Sequence, residues 1–348
     1  MRTRTGFIGC VAVGLVCLFA AAFAAPAGAI TGGTDDDPTN PRHPEVGLVV
    51  FYQPDGRFRC SGTLIDAQVV LTAGHCTFGD VGKVIVTFDT QVAQSIEQGR
   101  LVVPRALDDP GTGLEGSGYD DGLWVVETDA EGTPLICGPE DVVQRGCTEG
   151  DVLRHEYDNS GWDDGTADGA PVYHLGTAIA HPDYSDFTDI RNWNDTGVVI
   201  LDEPIAGITP AQVASEGYLD SLTQPQLVKT LFHTVGYGTE VRQADTGPQV
   251  PTPQSYPLRR QYTDEKGQKL TPQILQLNGN EHDPFGGGGT CFGDSGGPAY
   301  LDGYVVGDTS YGYTDNCRYL GGYQRVDIPV VHAWLEDCLA DLACPGKT

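Results

Sequence analysis

The sequence predicts an all-β protein, either a barrel or a sandwich. Three observations predict it: short β-rich runs recur along the chain, Gly, Pro and Asp punctuate them, and helix signals are scarce. The runs are Val46–Tyr52, Val69–Thr72, Val84–Phe88, Gly197–Leu201, Leu227–Val235, Ala299–Val306 and Gly322–Val326. Only the C-terminus reads as helical. Val331, Trp334, Leu335, Cys338 and Leu339 fall on one face at helical spacing, after Pro329 near the first turn.

The N-terminus reads as a secretory signal over residues 1–29. Arg2 and Arg4 precede a nearly continuous apolar run, Phe7 to Phe23, and Ala27-Gly28-Ala29 is a small-x-small cleavage site. A membrane anchor is the alternative, because the run approaches spanning length. The small residues and the cleavage pattern that follow favour a removed leader, and a mature protein without a membrane span. Cys10 and Cys17 would leave with it. Of ten cysteines eight then remain, and an even number in an exported chain reads as disulfides. A zinc site is disfavoured, since no tight Cys/His ligand pairs occur. The net charge is −28, and the leader holds two Arg and no acid, so the mature chain is more negative still. Such a charge argues against nucleic-acid binding and favours solubility and basic partners.

Two stretches resist a strand reading. Residues 105–171 hold 17 acids against 3 basic residues. Residues 243–289 are rich in Pro, Gln and Gly and end in four glycines, Gly286 to Gly289. Both read as long surface insertions rather than core. Within the first, Asp158 to Gly165 offers hard oxygen ligands suited to calcium, although no EF-hand loop fits. No cofactor is required by the chemistry below.

That chemistry centres on Gly293-Asp294-Ser295-Gly296-Gly297-Pro298. A Gly-bracketed turn exposes a serine and lets backbone N–H groups converge on a developing oxyanion. The pattern alone also fits the lipase and esterase elbow, whose order is Ser, acid, His. Here the order is reversed. After Ser295 the only histidine is His332, inside the expected helix, whereas His75 lies upstream in Leu71-Thr72-Ala73-Gly74-His75-Cys76. Asp195, before the buried-strand run Val198 to Leu201, suits the carboxylate that orients an imidazole. Asp183, Asp186, Asp189 and Asp202 are rivals by proximity and look like turn acids.

Cys60 to Ile65, Val70 to Cys76, Asn194-Asp195, Gly236-Tyr237-Gly238 and Gly293 to Pro298 together resemble the trypsin/chymotrypsin family, in that family's order. Thr290-Cys291-Phe292 resembles its bacterial secreted members. The resemblance covers both ends and the core strands and leaves out the two insertions. It implies two packed six-stranded antiparallel β-barrels with a C-terminal α-helix, residues 30–212 and 213–326 forming the halves and 327–348 the helix and tail. It also implies a secreted serine endopeptidase with Ser295 as nucleophile, His75 as general base and Asp195 orienting His75. Gly293 and Ser295 N–H would form the oxyanion hole. Ser310, Tyr311 and Gly312 would pair with the substrate backbone. Cys60–Cys76 and Cys291–Cys317 would flank the site, leaving Cys137–Cys147 and Cys338–Cys344 as local pairs.

Ile30-Thr31-Gly32-Gly33 resembles the family's mature start, where a new ammonium pairs with the acid before the nucleophile, here Asp294. Ala29, not Arg or Lys, precedes Ile30, so signal cleavage itself would create the active terminus. The resemblance places Gly289 at the floor of the primary pocket, with Thr290, Gly312 and Gly321 on its walls. Small walls without an acid imply an uncharged slot for a bulky apolar side chain. The competing readings are a non-catalytic binding protein on the same fold and a serine esterase.

Overall fold

The computed structural model describes residues 30–53, 56–80, 83–92, 173–189, 191–241, 254–255, 259–280, 282–284, 287–314 and 317–347. The leader, the acidic stretch 105–171 with its calcium-suited run, and Cys137 and Cys147 lie outside the described residues.

A short strand, β1 (Thr34–Asp35), comes first. Six strands then close an antiparallel barrel: β2 (Val46–Gln53), β3 (Gly56–Asp66), β4 (Val69–Thr72), β5 (Val84–Thr87), β6 (Tyr173–Ala180) and β7 (Gly197–Leu201). Their order around the barrel is β2-β3-β4-β7-β6-β5. The second half opens with β8 (Gln212–Val213) and a one-turn helix, α1 (Gln224–Leu227), held by a Thr223–Gln226 capping box. It continues with β9 (Leu231–Gly236), β10 (Glu240–Val241), β11 (Gln254–Ser255), β12 (Gln261–Leu270) and β13 (Ile274–Asn278). β14 (Pro298–Leu301), β15 (Tyr304–Gly312) and β16 (Leu320–Arg325) follow, and α2 (Pro329–Asp341) ends the chain. Strands β9, β12, β13, β16, β15 and β14 form the second barrel, which pairings of β9 with both β12 and β14 close. The architecture is the two six-stranded barrels and terminal helix that the resemblance implied.

The apolar runs of β4 and β7 are continuous because both faces of these strands are buried. On β2, Val49 and Phe51 join a cluster drawn from the first barrel and its flanking loops. Leu48 and Val50 join a second cluster shared with Val235, Tyr300 and Val305 of the other barrel and Trp334 and Leu335 of α2. That shared cluster seals the barrels together. Proline would cost a ladder hydrogen bond in any of these strands, and none of the six contains one. Pro329 instead sits at the first turn of α2, where its missing N–H costs nothing.

Four expectations need correction. The stretch 243–289 is not a surface insertion throughout, since β12 and β13 within it are barrel strands and Leu275 and Leu277 are fully buried. On β12 the inward residues are Gln261, Thr263, Glu265 and Gly267, so no apolar alternation marks the strand. Leu227–Val235 is not one strand: α1 ends at Leu227 and β9 begins at Leu231. Ala299–Val306 is a hairpin, turned at Asp302-Gly303, where both residues have positive φ (52° and 86°) as a two-residue hairpin turn demands. Leu339 does not share the buried face of α2 and is 36% exposed.

The segment from Ile30 to Asp36 packs on the second barrel, not the first, because β1 pairs with β12 and Thr31 bridges Gly289. The fully buried Arg260 anchors this strap, its Nε donating to Asp36 Oδ2 at 2.7 Å. The C-terminus crosses the other way. Lys347 pairs with Ala180 of the first barrel, and a Cys338–Cys344 disulfide and a Trp334 Nε1 bond to Pro345 O (2.6 Å) fix the chain after α2.

Candidate active site

His75 stands on a one-turn 3-10 helix, Gly74–Cys76, directly after β4. The Cys60–Cys76 disulfide ties that turn to β3. Gly74 has no room for a side chain, since a Cβ there would lie 3.0 Å from the Tyr184 ring and 3.2 Å from Asp195 Oδ1. Asp195 sits in the loop before β7, with no exposed surface. Its Oδ1 accepts the His75 backbone N–H at 2.8 Å, and its Oδ2 lies 2.9 Å from His75 Nδ1. Ser310 Oγ donates to the same Oδ2 at 2.6 Å, and Gln324 Oε1 accepts the Asp195 N–H at 3.1 Å. Asp195 is therefore gripped from the histidine turn and from two strands, β15 and β16. Its carboxylate faces the imidazole in the orientation that places a proton on Nδ1.

The rival acids have other partners. Asp202 pairs with Lys83. Asp189 caps Arg191 and Asn192. Asp183 stands beside His181, and Asp186 accepts from Tyr184 Oη at 3.3 Å. Asp186 still acts on His75 through its charge. Burial alone would lower the His75 pKa, and the charge and hydrogen bond of Asp195, with the charge of Asp186, outweigh it and hold the pKa above its ordinary value.

Ser295 is half-buried in the turn Gly293 to Gly297. Gly293 and Gly296 take left-handed φ values of 93° and 77°, which favour glycine. The turn is pinned at several points. Ser61 N–H donates to Ser295 O (2.8 Å), Ser61 Oγ to Gly293 O (2.9 Å) and Gly296 N–H to Thr309 O (2.7 Å). A Cβ at Gly296 would come within 2.6 Å of Ala73 N, so this turn packs directly on the segment carrying His75. Thr309 precedes Ser310, the residue that holds Asp195. The serine turn, the histidine turn and the aspartate loop thus meet at one seam between the barrels. Cys60, His75 and Cys76 cluster here, but the disulfide leaves the two sulfurs no thiolate to offer a metal.

The Ile30–Asp294 pair is expected of an Ile30 ammonium freed by cleavage; in the uncleaved chain both residues have other partners. Ile30 is fully buried and its N–H donates to Gln261 Oε1 at 2.7 Å. With Ala29 attached this nitrogen is an uncharged amide. Asp294 instead accepts from Gly238 N–H (2.7 Å) and Cys291 N–H (2.8 Å). Burial pushes its carboxyl up to about 7, against those bonds and the charge of Arg59, while the charge of Glu265 adds to the rise.

Gly289, Thr290, Gly312 and Gly321 line one pocket, beside the Cys291–Cys317 disulfide. Ser310 and Tyr311 precede Gly312 on β15. The pocket is not without an acid, contrary to the expectation from its small walls. Glu265, reaching in from β12, is part of its lining, as is Gly279. Glu265 belongs to no motif, and the polar face of β12 hid it from sequence reasoning. Asp308 was missed too. It is fully buried near Asp195, with Thr196 Oγ1 donating to its Oδ2 at 2.9 Å. Beyond His75, the rings of Phe187, Trp193 and Tyr311 form an apolar wall, with centroid separations of 5.7 Å (His75–Phe187), 5.4 Å (Phe187–Trp193) and 4.5 Å (Trp193–Tyr311).

Comparison with known proteins is consistent with this geometry. The Trypsin family model matches residues 37–148 and 147–335. No curated protein matches. Among solved structures, human heparin binding protein is 14% identical with a TM-score of 0.50, over 92% of this chain and 99% of that one. HL collagenase is 16% identical with a TM-score of 0.49, over 90% of this chain and 99% of that one. At such identities the likeness is one of fold. The family match spans most of the chain, and the protein belongs to the trypsin family.

Proposed function

We propose that this protein is a secreted serine endopeptidase that works through an acyl-enzyme. The observation that carries the reading is the buried Asp195 carboxylate on His75 Nδ1, with the Ser295 turn packed against the same segment. His75 Nε2 takes the Ser295 Oγ proton as Oγ attacks the scissile carbonyl. The Gly293 and Ser295 N–H groups stabilise the oxyanion. His75 then returns the proton to the leaving amine, and water repeats the sequence to release the acid. Asp195 keeps its charge and stabilises the imidazolium. The substrate backbone adds as a strand along Ser310-Tyr311-Gly312, and the aromatic wall receives side chains on the acyl side of the scissile bond.

Export is supported by the three disulfides among the described residues and by the leader-like N-terminus. Among the described residues no helix is long and apolar enough to cross a membrane. Cleavage after Ala29 would turn the buried Ile30 amide into an ammonium, for which Asp294 is the family's carboxylate partner. N-terminal sequencing of the secreted protein tests this. A start at Ile30 is expected, and a start at Ala25 would overturn maturation by signal cleavage alone. Likeness to a heparin binding protein gives no support for polyanion binding here, because a net charge of −28 repels such a ligand.

The test of the main reading is labelling with a fluorophosphonate, with Ser295→Ala as control, alongside a casein assay. Labelling and proteolysis that both vanish in Ser295→Ala are expected. An unlabelled, inactive wild type would leave the binding-protein reading. Labelling with ester hydrolysis but no casein cleavage would favour the esterase.

A further inference from the structure

The carboxylate at the base of the primary pocket is unusual in how it is held. Glu265 has no exposed surface. All of its hydrogen bonds fall on one oxygen: Oε1 accepts from Tyr323 Oη (2.7 Å), Thr234 Oγ1 (3.1 Å) and Thr290 N–H (3.3 Å). Oε2 is buried and has no hydrogen-bond partner. A buried carboxylate oxygen left in that state is costly, and groups of this kind call for an explanation. Its position offers one. Oε2 lies 3.5 Å from where a Cβ on Gly279 would be, and Gly279 and Gly289 are so close that a Cβ on Gly279 would stand 2.9 Å from Gly289 Cα. A side chain at Gly279 would touch Oε2, and Gly279 and Gly289 both line the pocket. The absence of side chains there leaves Oε2 as an acceptor at the cavity floor, with Thr290 Oγ1 on the wall 2.9 Å from Tyr323 Oη.

Resting on the protease reading above, we propose that Glu265 is the specificity-determining residue of the primary pocket and that the enzyme cleaves after lysine or arginine. The acid comes from strand β12, behind the pocket, rather than from position 289 of the nucleophile loop. An incoming ammonium or guanidinium satisfies the orphan Oε2 and brings a counter-charge to a region where Glu265 and Asp294 repel each other. Tyr323, Thr234 and Thr290 hold the carboxylate in place, so substrate binding needs no reorientation of it. A bulky apolar side chain in the same slot leaves Oε2 unpartnered and fares worse.

Two measurements test the proposal. The first is a peptide series varied at the residue before the cut, assayed on wild type and Glu265→Gln. Wild type is expected to prefer Lys or Arg over Leu or Phe. Glu265→Gln is expected to lose at least about 100-fold in kcat/KM on the cationic substrates and to change little on the apolar ones. Wild-type cleavage mainly after Leu or Phe overturns the proposal, and so does an equal loss on all substrates, which is what a merely structural glutamate would give. The wild-type preference stands without any variant, should Glu265→Gln fold poorly. The second measurement is binding of p-aminobenzamidine, a cationic probe, to Ser295→Ala protein, where no hydrolysis is needed. Binding that weakens at least about tenfold when Glu265→Gln is added supports the proposal. Cation binding through Glu265 without any proteolysis keeps the pocket and removes the protease. Proteolysis after apolar residues with no probe binding removes the pocket assignment and keeps the protease.

Discussion

At His75 burial and charge pull in opposite directions, and charge wins. The imidazole must be neutral to act as a base, so the acid limb of kcat/KM follows its pKa. Because Asp195 and Asp186 raise that pKa, the limb lies at or above the ordinary histidine value of 6.5. Asp195 touches the ring, and Asp195→Asn is expected to cost about 10³–10⁴-fold in kcat by losing the tautomer. Asp186 acts through its charge alone. Asp186→Asn is expected to move the acid limb to lower pH and leave the plateau near its wild-type height, read from a pH profile. An unmoved limb would mean that solvent screens Asp186 from the ring. Asp308 is a second case. Burial first, and then the Asp195 charge, raise its carboxyl well above the usual range, which favours the neutral form. An amide resembles a neutral carboxyl. Asp308→Asn is therefore expected to shift stability by less than about 1 kcal/mol, whereas Asp308→Ala orphans Thr196 Oγ1 and costs about 1–3 kcal/mol in urea unfolding.

Strand β12 makes the same point for an element. Strands β4 and β7 were legible because both their faces are buried, which produces unbroken apolar runs such as Val69 to Leu71. β12 faces inward with Gln261, Thr263, Glu265 and Gly267, and a search for apolar alternation passes over it. Two of these polar residues have tasks that only the folded chain discloses: Gln261 receives the Ile30 N–H, and Glu265 reaches the pocket. Gly267 lets the strand approach Leu227 O, which a Cβ would clash with. An inward carboxylate also destabilises its strand. Burial raises the Glu265 pKa from 4.5 to about 7, despite the hydrogen bonds from Tyr323, Thr234 and Thr290. A raised folded-state pKa in an acid means stability is intact below the unfolded value and lost as pH rises through the folded one. The loss runs from about pH 4.5 to about pH 7 and amounts to about 3 kcal/mol. Glu265→Gln is expected to leave the melting temperature nearly unchanged at pH 4.5 and to raise it at pH 8. Equal melting temperatures at both pH values would mean that Glu265 is not desolvated.

Over the whole molecule, the motif residues were legible because they serve a shared geometry: His75 and Ser295 stand on tight turns whose glycines Gly74 and Gly296 pack on the other site segments, and Asp195 is held by both the His75 turn and the second barrel. The pocket acid was not, because β12 carries neither a motif nor an apolar alternation. Net charge belongs to neither class, since it specifies no contact and acts on everything. With 48 acids against 20 basic residues, the chain repels itself at long range. The strongest ion pairs do not offset this in a salt-sensitive way. Arg260–Asp36 and Arg325–Asp327 are buried, and buried pairs are weakly screened. Exposed pairs such as Lys83–Asp202 are screened, but each contributes little. Repulsion therefore dominates the salt dependence. Raising ionic strength from about 0.01 M to about 0.3 M shortens the screening length from about 30 Å to well under 10 Å, which silences most of that repulsion. The melting temperature is expected to rise over this range in sodium chloride and in choline chloride alike, since screening does not depend on the cation. A rise confined to one salt would point to a bound cation, and a fall would place the balance with the surface pairs.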